Sequence, residues 1–254
     1  METTLLFHPS LDPYLDPSPK HFRIWTTSER PIGVHTNMEH IVSHRHDKLQ
    51  GILVFHGNAG SATGWYNTVR SWLFNPSKFA LHVFEYPSFG YRISESIDYT
   101  TLETGFLKDA RIGLNQTFQQ TLAPRWIVLG VSLGTGFATR FAREFPECVE
   151  RLILVTPFAS VPTIINSFVP GLGFLSNYAW LDNQKELEYL AKHPPHSEFR
   201  VMTFFADRDT LLPMTIHEPL LHPFVHQTHI IPYTGHSTIS ETKEFHKYLN
   251  DFLF

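Results

Sequence analysis

Five short, nearly continuous apolar runs constrain this chain more than any other feature: Gly51–Phe55, Ala80–Phe84, Trp126–Val131, Leu152–Val155 and Val201–Phe205. Unbroken hydrophobicity over a strand's length means burial on both faces, the situation of parallel strands covered by helices. The stretches between them carry helical spacing, as in Leu102-Phe106-Ala110-Leu114 and Phe137-Phe141-Phe145. Strand and helix therefore alternate, which predicts a doubly wound, mostly parallel α/β sheet. Upstream, His21–Thr27 and Ile32–His46 alternate instead, with polar positions between Phe22, Ile24, Val34, Ile41 and Val42. That pattern predicts half-buried antiparallel strands at the start of the sheet. A last strand at His229–Ile231 and a helix from about Ser240 to Phe252 close the domain.

The division into regions follows from proline and length. Pro9, Pro13, Pro17 and Pro19 deny residues 1–20 both helix and central strand, so this part reads as an extended arm ahead of a single domain over 21–254. A chain of 254 residues buries about 70–75% of its unfolded surface, enough for one core. The segment 157–199, rich in Pro, Phe and Leu, is too long for a simple crossover and predicts a short cap over the open end of the sheet.

Composition removes several classes. With 42% hydrophobic and 17% charged residues the chain is too apolar for disorder. Twenty Lys and Arg against 24 Asp and Glu leave a net charge of −4, so there is no broad cationic field for nucleic acid. The lone Cys148 excludes an intrachain disulfide framework. The first residues lack a basic stretch followed by an apolar one, and no segment reaches the ~20 apolar residues of a membrane span. The expectation is a cytoplasmic protein without a stable membrane anchor; the oligomeric state is left open.

The most specific chemical signal is Gly130-Val131-Ser132-Leu133-Gly134, placed between an apolar strand and a helical segment. A serine on a sharp strand-to-helix turn needs small residues two before and two after it, because larger side chains there collide with neighbouring backbone. The turn also puts Ser132 at a helix N-terminus, where backbone N–H groups favour developing negative charge. A nucleophilic serine needs a base and the base an orienting acid, in the order Ser, Asp, His along such a chain. Asp207 and Asp209 both follow the run ending at Ala206, and His236 follows the last strand in Gly235-His236-Ser237. Of 16 histidines, His236 is the one whose position fits.

Together with Ser132 and these downstream loops, His56-Gly57-Asn58-Ala59-Gly60 and Phe89-Gly90-Tyr91-Arg92-Ile93-Ser94-Glu95-Ser96 complete a pattern. The chain from about residue 20 to 254 resembles the α/β-hydrolase superfamily, most closely its serine-aminopeptidase-like branch, which also includes protein depalmitoylases. The resemblance implies an acid that opens a D-x-x-x-P stretch, met by Asp209 and Pro213, with Asp207 as a loop hydrogen-bonding residue. It implies that His56–Gly60 is the oxyanion loop, with Asn58 and Leu133 supplying backbone N–H donors. Thr135 departs from the family, in which many members carry a second glycine there; this affects packing more than chemistry. The Cys-rich N-terminal segment of some depalmitoylases has no counterpart here.

Other features have simpler readings. His40, His44, His46 and Asp47 cluster, and His193 and His196 flank two prolines, but neither set has a metal-binding spacing, so no metal is expected. Phe158, Phe168 and Phe174, with Tyr178 and Trp180, fit either an acyl-binding wall or the small core of the cap itself. The function that follows is a serine hydrolase acting on a small carboxylic ester or thioester through an acyl-enzyme, with no cofactor. The competing readings are a small-amide or peptide hydrolase and a non-catalytic ligand receptor or scaffold on the same fold; a metal-dependent hydrolase comes third.

Overall fold

The computed structural model describes residues 22–26, 31–36, 49–92, 95, 102–118, 125–176 and 178–254. The arm expected over 1–20 and the His40, His44, His46, Asp47 cluster lie outside the described residues. Eight strands form one sheet: β1 (Phe22–Thr26), β2 (Pro31–Thr36), β3 (Gln50–Phe55), β4 (Phe79–Phe84), β5 (Trp126–Val131), β6 (Val149–Val155), β7 (Arg200–Ala206) and β8 (Gln227–Ile231). Their order across the sheet is β1-β2-β4-β3-β5-β6-β7-β8. β1 runs antiparallel to β2, and β2 antiparallel to β4, and every pair from β4 to β8 is parallel.

The apolar runs become parallel strands because each serves two cores. Ile52, Val54, Ile127, Leu129 and Ile153 face one side of the sheet. Their alternates Leu53, Phe55, Val128, Leu152 and Leu154 face the other. Helices α1 (Ala62–Trp72) and α7 (Lys243–Leu253) cover the first side through Tyr66, Val69, Trp72, Phe245 and Leu249. Helices α2 (Leu102–Phe118), α3 (Leu133–Glu144), α5 (Asn183–Lys192) and α6 (Met214–Leu221) cover the second through Phe106, Phe137, Phe141, Leu187, Leu190 and Leu221. Among the described residues, no helix is long and apolar enough to cross a membrane.

The segment 157–199 splits into two parts. A short helix α4 (Val161–Phe168) begins at Ser160, whose Oγ accepts from Thr163 N at 3.2 Å. α5 begins at Asp182, whose carboxylate accepts from Lys185 N at 2.9 Å, and packs beside α3, with Arg143 on Glu186 at 2.9 Å. α5 is therefore the ordinary crossover helix between β6 and β7. The part that departs from a plain α/β unit is 157–182, closed at its base by an antiparallel bridge between Ser160 and Asp182.

Candidate active site

Ser132 occupies the turn between β5 and α3 with φ 50° and ψ −117°. A left-handed φ is costly for a residue with a Cβ and persists only where the surroundings hold it. Here the surroundings are backbone. A Cβ at Gly134 would lie 2.0 Å from the Phe55 carbonyl oxygen, and one at Gly130 would lie 2.6 Å from the Gly134 oxygen. Ser132 N donates to Val155 O at 2.8 Å, tying the turn to the end of β6. Thr135 packs behind the turn rather than entering it: its Oγ1 donates to Ser132 O and accepts from Asn183 Nδ2 at 2.9 Å. Asn183, fully buried, also accepts from Thr139 and donates to Phe158 O, so the family's missing glycine is replaced by a polar link between α3 and α5.

Two loops at the same carboxyl edge of the sheet bring the remaining polar groups to Ser132. After β7, Asp209 Oδ1 accepts from Leu211 N at 2.9 Å and Leu212 N at 2.8 Å. Its other oxygen, Oδ2, accepts from His236 Nδ1 at 2.7 Å. Because a carboxylate only accepts, Nδ1 carries a proton, and in the neutral ring Nε2 is left as the acceptor for the Ser132 hydroxyl 2.9 Å away. Asp207 is turned elsewhere: exposed, it accepts from Thr234 N at 3.0 Å and so ties its loop to the one that carries His236. Those backbone N–H bonds, led by that of Tyr233, hold its carboxyl below the usual carboxylate range.

The loop His56–Gly60 lies against Ser132. A Cβ built on Gly57 would be 3.7 Å from Ser132 Cβ. Three side chains fix its carbonyls: Tyr86 Oη donates to His56 O at 3.0 Å, His56 Nδ1 to Gly57 O at 2.7 Å, and Trp65 Nε1 to Ala59 O at 2.8 Å. His56 Nε2 meets Glu85 Oε1 at 3.1 Å, with both side chains fully buried, and Glu85 Oε2 accepts from Ala62 N at 3.0 Å. Arg92 closes the arrangement, donating to Glu85 O and Asp109 at 3.1 and 3.0 Å and pairing with Glu95 at 2.7 Å. The Gly90-Tyr91-Arg92 motif thus supports the loop from beneath. With Leu133 opening α3 and Asn58 on the cavity wall beside Ser132, the arrangement can hold an acyl carbonyl next to the Ser132 hydroxyl.

A family model described as the alpha/beta hydrolase fold matches residues 51–218, from β3 through the Ser132 turn and the Asp209 loop. The chain belongs to the α/β-hydrolase fold family. The curated protein YfhR of Escherichia coli (strain K12), itself uncharacterized, is 32% identical over 128 residues, which are 49% of this chain and 42% of that protein. The matched region is thus less than half of that relative's length. Among solved structures, an esterase of Pyrococcus furiosus superimposes with a TM-score of 0.67 at 15% identity, covering 98% of each chain. A proline iminopeptidase-related protein of Thermus thermophilus superimposes with a TM-score of 0.63 at 15% identity, covering 93% of this chain and 98% of that one. At such identities the likeness is one of hydrolase fold.

The α/β-hydrolase cavity beside Ser132 has a volume of about 440 Å³ and includes Asn58, Trp65, Trp72, Leu211, His236 and Ile239 on its walls. Phe158, Phe168 and Phe174, expected either as an acyl-binding wall or as the small core of the cap, stand apart from this cavity. Phe158 is 1% exposed and packs in the core, with its ring 3.0 Å from where a Cβ of Gly136 would stand. Phe168 and Phe174 are 60% and 80% exposed, and none of the three is among the residues lining the cavity. The reason is geometric: β6 ends at Val155, and the chain turns Phe158 back under α3 before the insertion leaves the edge. The walls missed by the sequence reading are Trp65, Thr68 and Trp72, whose signal was their spacing of three and four residues along one helix face.

His193 and His196 turn to separate backbone carbonyls, those of Tyr189 and Val149. Among the described residues, no group of three or more His, Cys, Asp or Glu is arranged to hold a metal ion. His217, fully buried on α6, accepts from Ala159 N at 3.2 Å, and burial lowers its pKa to about 4, so it is a neutral packing group.

Proposed function

We propose that this α/β hydrolase is a serine hydrolase that cleaves a small carboxylic ester or thioester through an acyl-enzyme. One observation carries the reading: an unbroken run of hydrogen bonds from Ser132 through His236 to Asp209, starting at a serine held in a left-handed turn. Ser132 Oγ attacks the substrate carbonyl while His236 Nε2 takes its proton, and Asp209 steadies the imidazolium that forms. The tetrahedral oxyanion is held by the N–H groups of Leu133 and Asn58. His236 returns the proton to the departing alcohol or thiol as the C–O or C–S bond breaks. Water, giving its proton to His236, then attacks the acyl-enzyme, and the acid leaves with the serine hydroxyl restored. His236 takes and returns every proton in this cycle, so the steps call on no metal or organic cofactor.

The esterase of Pyrococcus furiosus, alike in fold over nearly its whole length, gives precedent for ester chemistry on this architecture. The test is steady-state turnover of a neutral aryl ester by the wild-type protein and by Ser132→Ala. The expected loss of kcat is about 10⁴-fold or more. Equal turnover by a folded Ser132→Ala protein would remove Ser132 from the mechanism.

A further inference from the structure

α1 presents Trp65, Thr68 and Trp72 on one face, and that face forms a wall of the cavity beside Ser132, facing Leu211 and Ile239. Val131 and Val155, the last residues of β5 and β6, also line it. Apart from His236, the described residues that line it carry no ionisable side chain. The aromatic wall is braced. Trp65 is pinned by its hydrogen bond to Ala59 O, Trp72 meets it edge-on at 6.2 Å, and Phe245 of α7 backs Trp72 edge-on at 5.1 Å. Behind these, Asn250 Nδ2 donates to the Trp72 carbonyl at 2.9 Å. Trp72 is 3% exposed, whereas Thr68 is exposed, so the cavity is closed by tryptophan along α1 and open to solvent at Thr68.

We infer that this cavity is the acyl subsite, that it takes an uncharged alkyl or aryl acyl group, and that Trp72 and Thr68 set the length accepted. The inference rests on the serine-hydrolase reading for its chemistry, and the cavity geometry carries the rest. An acyl-enzyme leaves the acyl carbon on Ser132 Oγ, so its chain must occupy the space that opens directly from that atom. A cavity of this volume falls within the range that encloses a small-molecule ligand. Its mostly apolar lining rewards each buried methylene, while a carboxylate held inside it, short of the opening at Thr68, would be desolvated with no Lys or Arg among the described lining residues to meet it. Braced aromatic rings cannot retreat as a flexible wall would, so the length limit is set by their position.

The test is a panel of p-nitrophenyl esters from acetyl to palmitoyl, plus the succinyl half-ester, on wild type, Thr68→Trp and Trp72→Ala. In the wild type kcat/KM rises with chain length to a limit and then falls, and the succinyl ester is turned over about 100-fold more slowly than the butyryl ester. Thr68→Trp, at an exposed position of α1, lowers kcat/KM for the best medium-chain ester about 10-fold relative to that for the acetyl ester, so the optimum moves to shorter chains. Trp72→Ala, where it folds, moves the optimum to longer chains. Separately, octanamide binds Ser132→Ala protein, read by tryptophan fluorescence, and binding weakens when Thr68→Trp is added. Suberic acid monoamide, of the same length but ending in a carboxylate, binds about 100-fold more weakly. An unmoved chain-length profile in Thr68→Trp, or equal use of the succinyl and butyryl esters, overturns the acyl subsite while leaving the serine hydrolase standing. Absent ester turnover with octanamide binding intact overturns the chemistry and keeps the subsite; absent octanamide binding overturns the subsite.

Discussion

Two aromatic-rich stretches meet the carboxyl edge of the sheet, and only one of them lines the cavity beside Ser132. On α1, Tyr66 and Val69 point into the sheet, and the neighbouring positions Trp65, Thr68 and Trp72 turn toward Ser132. In the insertion, Phe158 is drawn into the core beneath α3, while Phe168, Val169, Leu172 and Phe174 are exposed by 43–80%. The two regions have similar composition and differ in support. α1 is packed on the sheet and tied to the His56–Gly60 loop through Trp65, whereas the outer insertion is apolar without being buried. An aromatic side chain forms a binding wall when a rigid element aims it, and its abundance in a segment is not enough.

The same contrast separates Asp207 and Asp209, the two aspartates that follow β7, where the largest effect is expected. Asp209→Asn lowers kcat for a neutral ester about 10⁴-fold, because Asn offers its amide to His236 in place of a carboxylate and disturbs the tautomer. Asp207→Asn, at an exposed position bonded to backbone, stays within a few-fold in the same assay. Comparable losses in both variants would break the distinction drawn between them.

Stability distinguishes the two kinds of insertion phenylalanine. Phe158→Ala costs about 3–5 kcal/mol in urea unfolding, through the cavity left against Gly136 and Leu181. Phe174→Ser, at a position 80% exposed, stays within about 0.5 kcal/mol. A Phe174→Ser protein with a changed acyl preference would bring the insertion back into the site.

Acid acts on two buried histidines, His82 and His217. Burial, aided by the stacked His35, lowers the pKa of His82 to about 3, and burial lowers that of His217 to about 4, both from 6.5. Between those values and 6.5 the unfolded chain binds the protons that the folded chain refuses. Their contribution is therefore complete above pH 6.5 and is lost as the pH falls, at up to about 1.4 kcal/mol per pH unit for each ring. Urea midpoints measured from pH 7 to pH 4 should fall accordingly. For His82→Phe, which fills the space between Trp25 and Trp126 without titrating, the fall should be shallower.

Much of the fold was legible because its signals are local. Each buried run from Gly51 to Phe205 announced a parallel strand, and the glycines around Ser132 announced a turn whose steric reason lies within a few residues. The order that places β4 between β2 and β3 was not legible, since it depends on contacts made far apart in sequence. Nor was the cavity wall, because which face of α1 looks toward Ser132 depends on how that helix is rotated on the sheet. The His56–Glu85 pair was hidden for the same reason: two buried ionisable residues 29 positions apart carry no common spacing. Asp207 and Asp209 flank one turn, and position alone separates them poorly. What distinguishes them is the partner each carboxylate meets, Thr234 N for one and His236 for the other.

The central claim is that His236 and Asp209 make Ser132 a nucleophile. Purified protein treated with a fluorophosphonate and digested for peptide mass spectrometry tests it most directly, beside Ser132→Ala and Asp209→Asn. The expected result is a single adduct on the peptide carrying Ser132, absent in Ser132→Ala and formed far more slowly in Asp209→Asn. A folded protein that takes no label, or takes it at another residue, would contradict it.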